Sequence, residues 1–453
     1  LNYKGGEQAL GVSNGTHRAS EVGNIKSTSE KRQSYRTNFE FKILQVLCIL
    51  MPLHQYVCVL LLKNTQIDNL WRDALILIAV LCIFLKKGLS CRFNKNGFLI
   101  ASLVIVFACF AAVSYLTAGY PATFNVMRTY TVPMLVYFIV INSNADSRQW
   151  HKLINIIIIE FAIEGYYCFI QAFLLGTPFA LRLGYGDSAG RLDSSFYISG
   201  FYGNLRAFGT FAYPNTCGSL LALFLSYYLL SDFKLHDSTP KQVFIVLGMA
   251  IGLLATFSRS SIFGLLISLF VCELFKKKEK RRIIQSSSLL KVILVVFVAI
   301  IGVLIANYIT GGLLGSMVGD FARRTLSGND SSASKHAQDI FKPLTLVLQN
   351  PIGLGFGNNG SMALEYSSSA NLVESSFWLM CYEVGPLFAL AYFVPYFRVI
   401  LSRRSYGPKL IGFTAGIITL ICTFFVLPNV QSFEVIFYAY LFIGLYWKTR
   451  NYE

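Results

Sequence analysis

The chain runs to 453 residues, of which 54% are hydrophobic, 15% aromatic and only 14% charged. Soluble domains carry about a quarter charged residues, so a water-soluble globular fold is excluded. The formal net charge of +16 would suit nucleic acid only if the basic residues formed one patch; instead they recur in short segments between apolar runs.

Residues 1–40 are polar, basic and rich in Ser, Asn and Gly. They show no cleavable signal peptide and read as a disordered cytoplasmic tail. From there 41–453 reads as a single transmembrane helical domain. Runs of about 20 apolar residues can cross about 30 Å of hydrocarbon as helix. Such runs recur at roughly 41–62, 71–86, 97–118, 122–142, 153–175, 207–231, 242–257, 260–275, 289–309, 373–398, 409–427 and 430–447. Period-2 alternation is absent, so helices and not barrel strands must satisfy the backbone in lipid. The expectation is an all-α, polytopic membrane protein of about 12 transmembrane helices, with a large extracytoplasmic loop between spans 9 and 10.

Most of the 39 Lys and Arg fall on one side when both termini are placed in the cytoplasm, as the positive-inside rule requires. The run Lys276–Arg282 is the strongest marker and reads as a solvated anchor beside anionic lipid. Two outward loops exceed mere connectors: a first over 176–206 and a larger one over 310–372. The second carries an amphipathic helix near 337–348 that ends at Asn350-Pro351. Long loops gathered on one face suggest work done there. Nine of the 10 cysteines fall in proposed spans and Cys91 in a basic loop, so no disulfide framework is expected. The five His are scattered, and no metal-ligand spacing or phosphate-binding loop occurs. The glycine string Gly353, Gly355, Gly357 and Gly360 lies outside any strand–helix unit and reads as a tight turn of positive φ.

Charges at a membrane rim need a reason. Arg128, Arg206, Arg259, Arg323, Arg324 and His336 gather on the outward side against the basic trend. A guanidinium matches phosphate oxygens as a bidentate fork, so the set points to an anionic lipid headgroup such as a diphosphate. Snorkelling to ordinary phospholipid, or pairing with Asp193, Glu374 or Glu160, is the plainer reading of any single arginine. Glu374 and Glu383, on one helix, are carboxylates able to accept a hydroxyl proton. Glu374 also suits a simple helix N-terminal charge. Glu160 and Glu164, one helical turn apart, read as interhelical polar contacts.

Four segments, in order, resemble the O-antigen polymerase and O-antigen ligase superfamily. They are Arg206–Asn215 (R-x-x-G-x-F-x-x-P-N), Thr256–Ser261 (T-x-S-R-[ST]), Asn350–Gly357 (N-P-x-G-x-G-x-G here, one residue shorter than the superfamily's N-P-x-x-G-x-G-x-G), and Val373–Ser376 followed by Glu383–Pro386. The resemblance implies a lipid-to-lipid glycosyltransferase acting on undecaprenyl-diphosphate-linked glycans at the outer face of the bacterial plasma membrane. Membrane lipid and a chain-length regulator would be further partners; no nucleic acid, metal or cofactor is implied. Superfamily ligases carry a His where this chain reads Asn371–Ser376, which favours a polymerase of oligosaccharide repeat units for O-antigen, capsule or exopolysaccharide. The family's loop-helix Arg is replaced here by Lys335-His336. By this resemblance Arg206 and Arg259 would stabilise the leaving diphosphate, assisted by Arg128 and Arg324. Glu374 or Asp193 would act as base, and Asn215 and His336 would be auxiliary. A ligase, and in another class a lipid-linked-sugar flippase or secondary transporter, stay open at this point.

Overall fold

A computed structural model describes residues 38–57, 70–186, 189–198, 201–232, 238–276, 347–364, 366 and 372–450. The expected span 289–309, most of the loop 310–372, the run after Lys276, Arg323, Arg324 and His336 lie outside these residues.

The described residues are overwhelmingly helical. In chain order they form α1 (Phe39–Leu50), α2 (Leu70–Lys87), α3 (Lys95–Ala118), α4 (Tyr120–Thr131), α5 (Leu135–Asn142), α6 (Ser147–Ile170), α7 (Gly176–Arg182), α8 (Pro214–Leu230), α9 (Thr239–Ala255), α10 (Arg259–Phe275), α11 (Ser376–Ile400), α12 (Ile411–Val426) and α13 (Phe433–Arg450), with short helical turns between. The β structure described is one antiparallel hairpin, β1 (Tyr197–Ile198) and β2 (Phe201–Leu205). Among the described residues four helical runs are long and apolar enough to cross a membrane: Lys95–Ala118, Pro121–Asn142, Ser147–Arg182 and Ser376–Ile400; shorter apolar helices accompany them. Leucine and phenylalanine stand out from the bundle surface, with Leu116 83% exposed and Phe98 70% exposed, as lipid-facing side chains do.

Local chemistry sets the ends of these helices. Asp146 and Gln149 form a reciprocal capping box at the start of α6. The expected run 41–62 is interrupted, because Pro52 has no N–H to donate; α1 stops at Leu50, helix resumes at His54–Val57, and 58–62 lie outside the described residues. The outward loop begins later than 176, because a π-helical turn, Gln171–Leu175, carries α6 on into α7. The run expected from 207 becomes helical only at Pro214, since 206–213 is tied down as loop.

Inside the bundle α6 and α9 touch through glycine. A Cβ on Gly165 would lie 2.0 Å from the Gly248 carbonyl oxygen, and one on Gly252 would lie 2.3 Å from the Gly165 Cα. This is the small-residue contact that lets membrane helices approach closely. Aromatics fill the centre, with Phe161 stacked 4.2 Å from Phe224 and Tyr438 edge-on to both.

The two ends of the bundle differ in kind. One is basic: Lys448 donates to the carbonyls of Val140 and Ser143, Lys87 to that of Asn142, and Lys86 pairs with Glu40 at 2.6 Å. Cations suit these exposed helix C-terminal carbonyls. The other end collects the non-helical backbone: 206–213, the α9–α10 turn, the glycine segment 350–360 and the α12–α13 turn. Hydrogen bonds join these segments, since Ala207 N–H donates to the Ala255 carbonyl, Ser376 N–H to that of Leu427 and Gln431 to that of Asn359.

Helix α11 is itself broken at this loop end. Gly385 sits at φ +78, and the glycine segment lies in the break, with Leu354 and Gly355 N–H donating to the carbonyls of Tyr382 and Glu383. Gly353, Gly355, Gly357 and Gly360 all have positive φ, as the sequence pattern anticipates. A Cβ on Gly385 would meet the Pro351 oxygen at 2.5 Å. Gly385→Ala should therefore lower the melting temperature in detergent by several degrees. Gly407→Ala should move it little, because Gly407 sits at φ −75. Equal melting temperatures for the two variants would contradict this packing.

Candidate functional site

The site forms where the loop end converges on Arg206. Helix α9 ends at Ala255, leaving its last carbonyls without intrahelical partners. Phe257 then turns through a left-handed conformation, φ +49, and α10 begins at Arg259. The orphan carbonyls are taken by the incoming chain: Ala207 N–H donates to Ala255, and Arg206 Nε donates to the Thr256 oxygen at 2.9 Å. A cation is favoured at this negative end of the helix.

The same guanidinium donates through Nη1 to the Ser195 carbonyl at 3.0 Å and through Nη2 to Asn215 Oδ1 at 2.7 Å. Three segments are thus pinned by one side chain: the turn before β1, the α9–α10 turn and the start of α8. All three acceptors are neutral. Among the described residues no carboxylate pairs with Arg206, and the charge that acts on it is another cation. Burial first, and then the Arg259 cation, push Arg206 down to about 10, so it remains charged at neutral pH. The two arginines singled out in the sequence are thus near enough to feel each other's charge.

The segment around Arg206 is built by two side chains on one face of α6. Glu164 accepts from the Thr210 N–H at 2.6 Å and from its hydroxyl at 3.1 Å. Gln171 accepts from the N–H groups of Phe208 and Gly209 and donates to the Gly209 carbonyl. Gly209 has φ +60, and a Cβ there would fall 1.9 Å from the Glu164 oxygen. The R-x-x-G-x-F-x-x-P-N pattern therefore has a physical content. Arg206 reaches back to Asn215, Gly209 clears Glu164, Phe211 is buried, and Pro214 opens α8. Glu164 ties a helix to a loop and not, as the i,i+4 spacing suggests, one helix to another.

Beside Arg206 lies an open cleft of about 570 Å³, lined by Gln55, Tyr185, Arg191, Asp193, Phe196 and Tyr213 among others. Phe196 joins the two features directly, because its carbonyl accepts the Arg206 backbone N–H at 2.8 Å. Asp193 is exposed in this cleft and caps the turn Ser194–Phe196 through the Ser195 N–H. The Ser195 hydroxyl is buried and has no hydrogen-bond partner among the described residues.

The remaining sequence candidates sit differently. Arg128 is buried and paired with Asp73 at 2.8 Å, next to a second pair, Arg72 with Glu434 at 2.6 Å. Its charge is thereby matched, which separates it from Arg206. Glu374 is half-buried just before α11 and is not a partner of Arg206. Glu383 is wholly buried, accepting from the Tyr130 hydroxyl at 2.6 Å and from Gly357 N–H, so it holds the broken helix against the glycine segment. Sequence reasoning did not find Gln171, the Ser195 and Thr256 carbonyls or the Asp73–Arg128 pair. Of these, only Gln171 left a trace, seven residues from Glu164 on one helix face.

A polar seam leads on from this surface. The hydroxyls of Ser258 and Ser261 are hydrogen-bonded at 2.8 Å, Ser261 and Ser219 at 3.3 Å, and Asn429 donates to Ser219 at 2.8 Å. Gln431, two residues on, accepts from Ser361 and from Met362 N–H. The chain matches no protein-family model and no curated protein.

The contrast between the two arginines can be tested. Asp73→Ala leaves Arg128 buried without its partner and should destabilise by about 3–5 kcal/mol. The double variant Asp73→Leu with Arg128→Met should regain most of that melting temperature. A double variant as unstable as the single one would show that Arg128 serves more than this pair.

Proposed function

We propose that this protein is a polymerase of undecaprenyl-diphosphate-linked oligosaccharide repeat units. It would cross the plasma membrane about 12 times, with both termini in the cytoplasm and the loop end facing outward. Positive-inside asymmetry supports that orientation, since Lys86, Lys87, Arg92, Arg148, Arg403, Arg404 and Lys448 all belong to the opposite end. The four segments that resemble the O-antigen polymerase and ligase superfamily support the reaction class, and the absence of His from 371–376 favours polymerase over ligase.

One observation carries the reading. Arg206 is a half-buried cation oriented by three neutral acceptors, with a second guanidinium, Arg259, near enough to depress its ionisation. Arg206 thus presents positive charge with which no carboxylate among the described residues pairs. A guanidinium has five N–H donors, and Arg206 gives three to the protein. The others are left for oxygens of a ligand.

In the proposed step, the acceptor hydroxyl attacks C1 of the donor sugar on its carrier. The C1–O bond to the diphosphate breaks, and the bonding electrons leave with the diphosphate. Arg206 and Arg259 stabilise that growing charge from fixed positions, an effect worth about 3–4 kcal/mol per donor in a dry site. The hydroxyl proton passes to a carboxylate, for which Asp193, on the wall of the cleft, is placed better than the buried Glu383. Diphosphate is already an activated leaving group, so the step requires no further activation of the donor.

Arg259→Ala should lower polymer formation by about 10²–10³-fold while membrane insertion and melting behaviour stay near wild type, and Arg206→Lys should lower it as much while also lowering the melting temperature, because it releases segments that the guanidinium pins. Lys keeps the charge but not the fork, so it rescues poorly. Arg403→Ala, at the opposite end, should leave activity unchanged. The measurement is the glycan ladder from cells carrying each variant, and purified protein lengthening lipid-linked repeats in detergent. Wild-type ladders from the Arg206 and Arg259 variants would sink the assignment. A wild-type protein that acts only across a sealed membrane would be a transporter.

A further inference from the structure

We infer that the cleft lined by Gln55, Tyr185, Arg191, Asp193, Phe196 and Tyr213 is a saccharide subsite, which holds the sugar borne by the same carrier whose diphosphate meets Arg206. The inference rests on the diphosphate reading of Arg206 and adds to it the position and chemistry of the glycan.

Three observations converge. The first is size: about 570 Å³ falls within the range of small-molecule sites and is too large to be a packing defect. The second is the lining. Phe196 and Tyr213 lie with ring centroids 5.9 Å apart, Tyr185 and Phe196 6.2 Å apart, and Phe208 packs behind Tyr185 and Phe196 at 4.5 and 5.1 Å. Aromatic faces take the apolar C–H face of a pyranose, while Gln55, Asp193 and Arg191 supply acceptors and donors for its hydroxyls. A purely lipid-filled groove would have no use for the exposed Asp193 carboxylate and the Gln55 amide on its wall. The third is connection. The backbone of Arg206 is hydrogen-bonded to Phe196, and its side chain to Ser195, so cleft wall and guanidinium move as one piece.

Hydrogen bonds also brace this corner. Tyr185 donates its hydroxyl to the Phe211 carbonyl at 3.2 Å, which fixes the aromatic wall to the loop that Glu164 and Gln171 already hold. A preorganised wall loses little freedom on binding.

The test uses full-length protein in detergent and two probes. One is bare undecaprenyl diphosphate; the other is the undecaprenyl-diphosphate-linked saccharide accumulated by cells lacking this protein. Wild type should bind the saccharide-bearing lipid at least about tenfold more tightly than the bare one. Gln55→Ala and Tyr213→Ala, confirmed as monodisperse, should erase that preference and keep the affinity for bare undecaprenyl diphosphate. Arg206→Lys should weaken both probes alike. If the cleft variants keep the wild-type preference, or if wild type shows none, the subsite is wrong while the diphosphate reading survives. If folded wild type binds neither probe better than phosphatidylglycerol, the diphosphate reading fails and the subsite falls with it.

Discussion

One guanidinium organises the loop end of this bundle. Arg206 takes a carbonyl from the turn before β1, another from the end of α9, and the side-chain oxygen that follows Pro214 at the start of α8. The two carbonyls lack regular helical partners at that point, so each needs a donor from elsewhere. A long flat cation with several donors can serve all three at once; a lysine ammonium, a point charge, could not span them. The cost of that arrangement is a desolvated charge, offset in part by the C-terminal dipole of α9 and left open to an anion.

The same rule governs the rest of this end. Non-helical backbone near lipid persists only where protein groups satisfy it. Glu164 and Gln171 do so for 208–210, Ser376 for the Leu427 carbonyl and the Val430 N–H, Gln431 for the glycine segment, and Glu383 with Tyr130 for the break in α11. The helices supply rigid walls, while short irregular segments at one end carry groups that can face a ligand. That division places chemistry on loops without leaving those loops loose.

Much of this was legible from residue types. Hydropathy finds the long helices because burial in lipid demands long apolar runs, and those described overlap the expected runs. Arg206, Asn215, Arg259 and the positive-φ glycines stood out because a charge in an apolar setting is costly to keep, and glycine at alternate positions is costly to order. What stayed hidden has a common cause. Backbone carbonyls such as those of Ser195 and Thr256 carry no signature of residue type. Asp73 and Arg128 are 55 residues apart in sequence, and nothing in either neighbourhood names the other. The break in the run 41–62 at Pro52 was readable in principle, but the apolar side chains around it outweighed one proline in a hydropathy window.

Arg128 and Arg206 show why an arginine's location alone says little about its task. Arg128 is buried and Arg206 half-buried at the same end of the bundle, and both stood out in the sequence for the same reason. Arg128 lies against Asp73, and the neighbouring Arg72 lies against Glu434, so that corner is close to electrically neutral and its attraction for an incoming anion is small. Among the described residues Arg206 has dipoles for partners and Arg259 for a charged neighbour. Its charge therefore remains uncompensated over the few ångströms that matter to a ligand, in surroundings that screen poorly. What distinguishes the two is a carboxylate, Asp73, set against Arg128 and not against Arg206, and it lies far along the chain from the arginine with which it pairs.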